Sequence, residues 1–454
     1  MERRAMLNRM VLGSGLAWLG PLSVACRPLL SGPQQQSAPA ATVRWPVLRG
    51  PRETAFAEEF ARRFNAKYGP RPTLVPEGLP AEGNREIYEK WVAMAVANQL
   101  PEILQMGGPF VRPFILKGLV LDLNPLIRRD AKQADIDDFY KSPLAALNIE
   151  GKQYGLPRQA NNNVMYVNKN LLREAALPYP PEDWGLTQFL EYVTKLTRRQ
   201  ADPSAGAGQG QWGYDMPFTG LDRNITWIWN HGGEPHDPND GPIVTRLTYD
   251  HPKTIEGLQF LHDLIWKQRV SPANNGDRGG LSAEQAFIRG QTAIFFNAFG
   301  DAYDIGTGAA QTGLDWDFLP LVKGPGGYGS RHPVGGWLID RQTRIPDAAW
   351  TAVREIAGRE GETLAAQLAL VPPMRRSAAG AWEQLFPGKN TRLFRTLADT
   401  ARPDPRALWK DSEQVQPIIS GKYMRATFQE NQMSVAEAMR RAMDEVRRFY
   451  AGGA

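Results

Sequence analysis

The feature that most restricts this chain is a regular switch in hydrophobic period. "TVRWPVL" (Thr42–Leu48) is a short apolar run with three β-branched residues, the pattern of a buried strand. Thr54–Lys67 then carries Phe56, Phe60 and Phe64 four residues apart, the spacing of one helix face, and stops near Gly69. "PTLVPE" reads as a second strand, Arg85–Asn98 as a second helix with Ile87, Trp91 and Met94 on one side, and "PEILQMGG" (Pro101–Gly108) as a third strand running into glycines. This order predicts a doubly wound α/β sheet of parallel strands, because parallel neighbours need a long crossover and a helix supplies it. The phenylalanines and Trp91 are read as core.

The alternation resumes after "YGLPRQANNNVMYVNKNLL" (Tyr154–Leu172). Thr187–Arg198 turns Phe189, Leu190, Val193 and Leu196 to one side, a Gly/Ala/Ser/Gln-rich loop follows at Asp202–Gly213, and helical spacing returns at Thr254–Lys267. Ser282 and Gln285 form a capping box ahead of "TAIFFN" (Thr292–Asn297), a strand. "HPVGGWLID" (His332–Asp340) reads as a further strand, followed by a helix from Asp347 to Ala357. Ser434 and Glu437 open a last helix with Val435, Met439, Ala442, Val446 and Phe449 along one face. A chain of 454 residues exceeds what one hydrophobic core ordinarily serves, so more than one domain is expected.

The first 41 residues do not share this pattern. Arg3, Arg4 and Arg9 precede an apolar stretch, Met10–Gly20, too short to span a bilayer, and small residues (Ser23, Val24, Ala25) precede Cys26, the only cysteine. A cysteine in that place resembles a lipobox, whose thiol is acylated, and "ERRAML" (Glu2–Leu7) resembles a twin-arginine export signal. Residues 1–26 are therefore expected to be a lipoprotein-type export signal and 27–41 a flexible tether. The folded body is then expected outside the cytoplasm, anchored at the periplasmic or extracellular membrane face. One cysteine allows no disulfide within the chain.

Several functions are disfavoured. The net charge of +5 comes from 53 Lys and Arg interleaved with 48 Asp and Glu, whereas nucleic-acid binding needs a concentrated basic face. Gly421-Lys422 is followed by Tyr423, so no P-loop forms there, and the glycines of "GAGQGQWG" (Gly206–Gly213) follow no strand. His231, Glu234, His236 and Asp237 could suggest a metal, but their glycine and proline spacing fits a polar loop better. No pair of carboxylates stands out for glycoside hydrolysis. No catalytic residue, metal or cofactor is expected.

What recurs is an amide, glycine or aromatic residue at a strand end: Trp45; Gly108 and Phe110; Asn161 to Asn163; Asn297 and Phe299; Gly336 and Trp337. Open α/β sheets bind ligands in the crevice outside the carboxyl ends of their strands. Aromatic faces stack on sugar rings, and amides pair with hydroxyls.

These stretches resemble the extracellular solute-binding proteins of ABC importers, the maltose-binding-protein-like group, over nearly the whole body. "YEKWVAMAVANQLPEILQMGG" is similar to the family's helix, turn and Pro-acidic-hydrophobic strand, and "GLVLDLNPLI" (Gly118–Ile127) to its G-x-L-x-x-L-x-P segment. "EGKQYGLPRQANNNVMYVNKNLLREAAL", with "PPEDWGLTQFLEYVTKLT" beyond it, matches Gly-Lys-x-Tyr-Gly-x-Pro, Tyr-x-Asn-Lys and Pro-Pro-x-x-Trp, and the C-terminal "ISGKYMRATFQENQMSVAEAMRRAMDEV" matches the family ending. "AFIRGQTAIFFNAFGDAY" matches the segment before a binding aromatic, with Asn297-Ala298-Phe299 where that aromatic usually stands.

The resemblance implies a two-lobed periplasmic-binding-protein-like fold, each lobe a doubly wound sheet, with the ligand cleft between lobes. It implies one lobe at 42–157 plus 332–370, the other at 164–323 plus 374–454, and crossings near 157–163, 324–331 and 371–376. It places Gln159, Asn161 or Asn163 at the ligand, with one of Trp227 and Trp229, then Trp337, Arg375 and Trp409. The implied role is capture of a carbohydrate and its delivery to an ABC permease driven by a separate ATPase. A glycerophosphodiester, polyamine, opine or peptide ligand in the same fold is the alternative, and an exported glycosidase a more distant one.

Overall fold

The structure, a computed structural model, describes residues 41–452 except 49, 82, 159–160, 199–209, 218–220, 334 and 369–370. The export signal, Cys26 and the tether up to residue 40 lie outside the described residues, as does Gln159. Among the described residues no helix is long and apolar enough to cross a membrane.

β1 (Thr42–Leu48) buries Val43, Trp45 and Val47. α1 (Pro51–Tyr68) starts on a proline, whose missing N–H costs nothing in a first turn, and lays Phe56 and Phe60 edge-on against Trp45 at 5.8 Å. β2 (Thr73–Leu79) pairs parallel with β1, from Thr42 opposite Thr73 to Leu48 opposite Leu79. α2 (Asn84–Val96) buries Ile87 and Trp91, and β3 (Ile103–Gly107) lies alongside β1. Up to this point the strand–helix alternation of the sequence is realised.

The chain then leaves this lobe through β4 (Leu156–Pro157) and enters a second sheet as β5 (Asn163–Asn168). That sheet adds β6 (Trp212–Asp215) after α3 (Leu186–Lys195), and β7 (Thr292–Ala298) after α4 (Leu221–Asn230) and α5 (Pro252–Trp266). α6 (Ala302–Thr312) and β8 (Trp316–Leu319) complete the order β8-β5-β7-β6. Gly213 lets α3 sit directly on β6, since a Cβ there would fall 1.9 Å from the Val193 carbonyl oxygen. The chain returns through β9 (Arg331–His332) to β10 (Gly335–Ile339), which inserts between β3 and β4. α7 (Pro346–Ile356) and α8 (Arg359–Gln367) cover the first sheet, β11 (Arg402–Pro403) runs beside β9, and α9 (Val435–Tyr450) closes the fold.

The sheets are mixed rather than wholly parallel, which corrects the sequence expectation. β10 is antiparallel to β3 and β4, and β5 is antiparallel to β7 and β8. Both exceptions have one cause. β5 and β10 are the strands that follow the crossings, so each enters its sheet at the end where the other strands finish and must run the opposite way. Short-range periodicity carries no information about that reversal.

Candidate functional site

The crossings decide which ends of the two sheets face each other. Gly107 at the end of β3 lies opposite Gly335, and Pro157 opposite Gly336; Asn163 at the start of β5 lies opposite Ala298 at the end of β7. The short link from Pro157 to Asn163 therefore ties the carboxyl end of one sheet to the carboxyl end of the other. The gap they bound is where an open α/β sheet presents ligand-binding groups.

On the first lobe, Gly108 has φ +67°, the left-handed region that glycine adopts without strain. The Asn84 side chain sits over Gly107 and Gly108, 3.2 and 3.4 Å from where their Cβ atoms would be. Phe110 stacks on Tyr88 at 5.4 Å, with the Arg85 guanidinium 5.8 Å from its ring. Arg85 also donates to the Glu413 carbonyl (3.1 Å), on a segment wedged between Gly108–Phe110 and Val244 of the second lobe.

On the second lobe the amides cluster. Asn297 accepts from Arg223 Nε at 2.9 Å, and Asn161 Oδ1 accepts from the Gly300 N–H at 2.7 Å. Asn163 is buried between Thr226 Oγ1 (3.4 Å) and Arg331 Nη2 (3.3 Å). Asn224 donates only to the Met424 sulfur, and its buried Oδ1 has no partner. A cavity of about 610 Å³ opens here, lined by Asn274, Arg278, Ser282, Glu284, Asn297 and Gln429 among others. Beneath it Arg278 pairs with Asp215, Nε to Oδ2 at 2.6 Å, both side chains fully enclosed. Burial pushes the Asp215 carboxyl up to about 6, against the opposing pull of Arg278. Glu284 rises to about 7 through burial and the like charges of Asp301 and Asp304. A larger cavity, about 740 Å³ around Arg44, Glu102 and Asp340, lies at the opposite, amino end of β1 and β3 and belongs to no such crevice.

Gly108, Phe110, Asn161 and Asn297, all expected from sequence, therefore lie around the gap. Most of the expected aromatic platforms do not. Trp45 and Trp337 pack edge-to-face at 5.7 Å inside the first lobe, with the Arg158 guanidinium 5.3 Å from Trp337, and Gly336 is held against Leu147 and Leu156. Trp227 donates to the Tyr214 hydroxyl (3.2 Å) in the core of the second lobe, where Phe299 packs among Phe318, Trp382 and Phe394. Trp229 donates to Glu234 (3.2 Å) beneath the Arg402 guanidinium, and Trp409 is buried against Tyr249. Both tryptophans lie on helix α4, where residues two apart point roughly oppositely, so each has its own surroundings. Arg375 is spent on structure: its Nη1 donates to the Asp135 carbonyl (2.7 Å) and lies 3.3 Å from Asp138, over Phe139. Trp337, Trp229 and Asn161, all candidates for one ligand site in the sequence, occupy separate surroundings.

Sequence reasoning passed over Asn84, Arg223 and Asn224. The last two had a signal, polar residues opening the apolar helix in "LDRNITWIW"; Asn84 had none, because its role depends on the glycines beside it.

Residues 50–363 match the family described as bacterial extracellular solute-binding protein. A protein of Brucella abortus provisionally classed as a binding protein is 28% identical over 202 residues, 44% of this chain and 45% of that protein. The galactooligosaccharide-binding protein of Bacillus subtilis is 29% identical over 84 residues, 18% of each chain. The matched region thus spans less than half of these curated relatives. Among solved structures, an ABC substrate-binding protein of Listeria monocytogenes in complex with cycloalternan superposes with a TM-score of 0.75 at 17% identity, over 91% of this chain and all of that one. UgpB of Mycobacterium tuberculosis in complex with glycerophosphocholine gives 0.73 at 18% identity, over 91% and 99%. These likenesses establish the two-lobed fold.

Proposed function

Because this chain belongs to the bacterial extracellular solute-binding proteins, we propose that it captures a carbohydrate between its lobes and delivers it to an ABC importer permease. The observation that carries the reading is the facing of the two sheet ends, with Asn84, Gly107 and Gly108 on one side and Asn161, Arg223, Asn224 and Asn297 on the other. A hydroxyl both donates and accepts, so amide and guanidinium groups satisfy it pairwise. A solute touching both faces stabilises the closed arrangement over the open one, and that difference is the signal a permease reads. Family and structural neighbours are binding proteins, in keeping with capture rather than turnover.

On this reading 42–157 plus 332–370 form one lobe and 164–323 plus 374–454 the other, and a diacylated Cys26 tethers the body to a membrane surface. Mass analysis of the mature amino terminus tests the acylation. A glycerophosphodiester is the second reading, favoured by Arg52, Arg85 and Arg223 around the gap. Calorimetry with mono- and oligosaccharides and with glycerophosphocholine separates the two: saturable, salt-insensitive heat from a sugar supports the carbohydrate, whereas salt-sensitive binding of glycerophosphocholine alone replaces it.

A further inference from the structure

A third cavity, of about 380 Å³, lies beside the crossings and shares no lining residue with the cavity at Asn297. Its walls come from both lobes. The first lobe supplies Arg112, on the short helix Val111–Leu116, and Ser142, Ala145 and Ala146; the second supplies Trp229 and His236; Arg402, Pro403 and Pro405 complete it.

Most polar groups here are already engaged. Ser142 Oγ donates to the Ala401 carbonyl (2.6 Å) and meets His332 Nε2 (3.0 Å). Arg402 Nη2 bonds Glu234 at 2.7 Å and its guanidinium lies 4.2 Å from the Trp229 ring. Two groups are not. Arg112 makes no hydrogen bond and no ion pair, and its Nε is fully enclosed. His236 Nδ1 is likewise enclosed without a partner. Burial lowers the Arg112 pKa, against the opposing pull of the Glu150 charge. The enclosed Nε has given up hydration without a hydrogen-bond partner, which is costly, while the two Nη groups stay accessible from the cavity. Such a group is explained when something absent from the folded chain completes it.

We propose that this cavity is an accessory binding site for a small organic carboxylate, its anionic head on Arg112 and its apolar body against Trp229, Ala146 and Pro403. A guanidinium fork matches a carboxylate in two parallel hydrogen bonds, and the cavity offers more apolar wall than a bare inorganic anion uses. Since the walls belong to both lobes, an occupant links them and biases their relative arrangement independently of the solute in the gap. The proposal goes beyond the carbohydrate reading and does not require it.

The test uses the exported body with sodium benzoate as the probe and sodium chloride at equal ionic strength as reference, followed by calorimetry. Saturable benzoate binding is expected, weakened at least tenfold in Arg112→Met and only a few-fold in Arg112→Lys, which keeps the charge but loses the fork. Because Arg112 bonds no other group, Arg112→Met orphans no partner, and its melting temperature without benzoate should equal or exceed that of the parent protein. Benzoate heat no greater than the chloride reference overturns the proposal, as does saturable binding that Arg112→Met leaves unchanged. A melting temperature lowered by Arg112→Met also counts against it, since that would make the arginine a structural support. Sugar binding in the gap is read separately in the same variants and should persist.

Discussion

Arg52, in the first turn of α1, places Nη2 3.1 Å from both carboxylate oxygens of Asp304 in the first turn of α6, with its guanidinium 4.9 Å from the Tyr303 ring. One residue follows β1 in the first lobe and the other follows β7 in the second, so this contact joins the lobes across the mouth of the gap. The lobes therefore touch at this mouth.

That contact is exposed, 36% and 51% by side chain, so it is worth up to about 1 kcal/mol. Arg52→Ala is expected to weaken solute binding by up to about fivefold without lowering the melting temperature by more than a degree or two, and to enlarge the radius of gyration measured by small-angle scattering before solute is added.

The pair under the second-lobe face behaves differently. Arg278→Met leaves Asp215 buried and uncompensated, a change that costs about 3–5 kcal/mol. Urea denaturation should show that loss, and a second change, Asp215→Leu, should recover part of it by removing the stranded carboxylate.

Glu284 sets a pH dependence. Its folded pKa, about 7, lies above the ordinary 4.5, so the folded state holds the proton more tightly than the unfolded chain does. Its favourable contribution is complete below about pH 4.5 and disappears as pH rises through about 7. Glu284→Gln should therefore stabilise the protein relative to the parent at pH 8 and not at pH 4, as read from paired thermal melts across that range.

Trp337 separates packing from recognition. It is enclosed by Trp45 and Arg158, so Trp337→Ala should cost about 3–5 kcal/mol of stability. Solute affinity measured well below the melting temperature should change by less than threefold. A platform for a sugar ring would show the reverse.

The sequence carried the local elements well and the non-local ones poorly. α1 and β1 follow from Phe56, Phe60 and Phe64 and from "TVRWPVL", and Ser282 caps its helix by accepting from the Gln285 N–H as the capping box predicts. The antiparallel insertion of β10 was hidden because it depends on a strand returning from the other lobe. Asn161 and Asn297 were legible as polar residues at strand ends. The tryptophans were misplaced because aromatic residues at strand ends and in cores share one sequence pattern, and only the neighbours distinguish them: Trp45 meets Phe56, Phe60 and Trp337, whereas Trp229 meets Arg402 and Glu234.

The central claim is that the solute is held between the end of β3 and the ends of β6 and β7. Hydrogen exchange on the exported body, with and without the mono- or oligosaccharide that most raises its melting temperature, tests this directly. Slowed exchange concentrated at 107–110, 221–224 and 297–301 is the predicted result. Protection confined to one of the two lobes, or centred on the amino ends of β1 and β3, would contradict it.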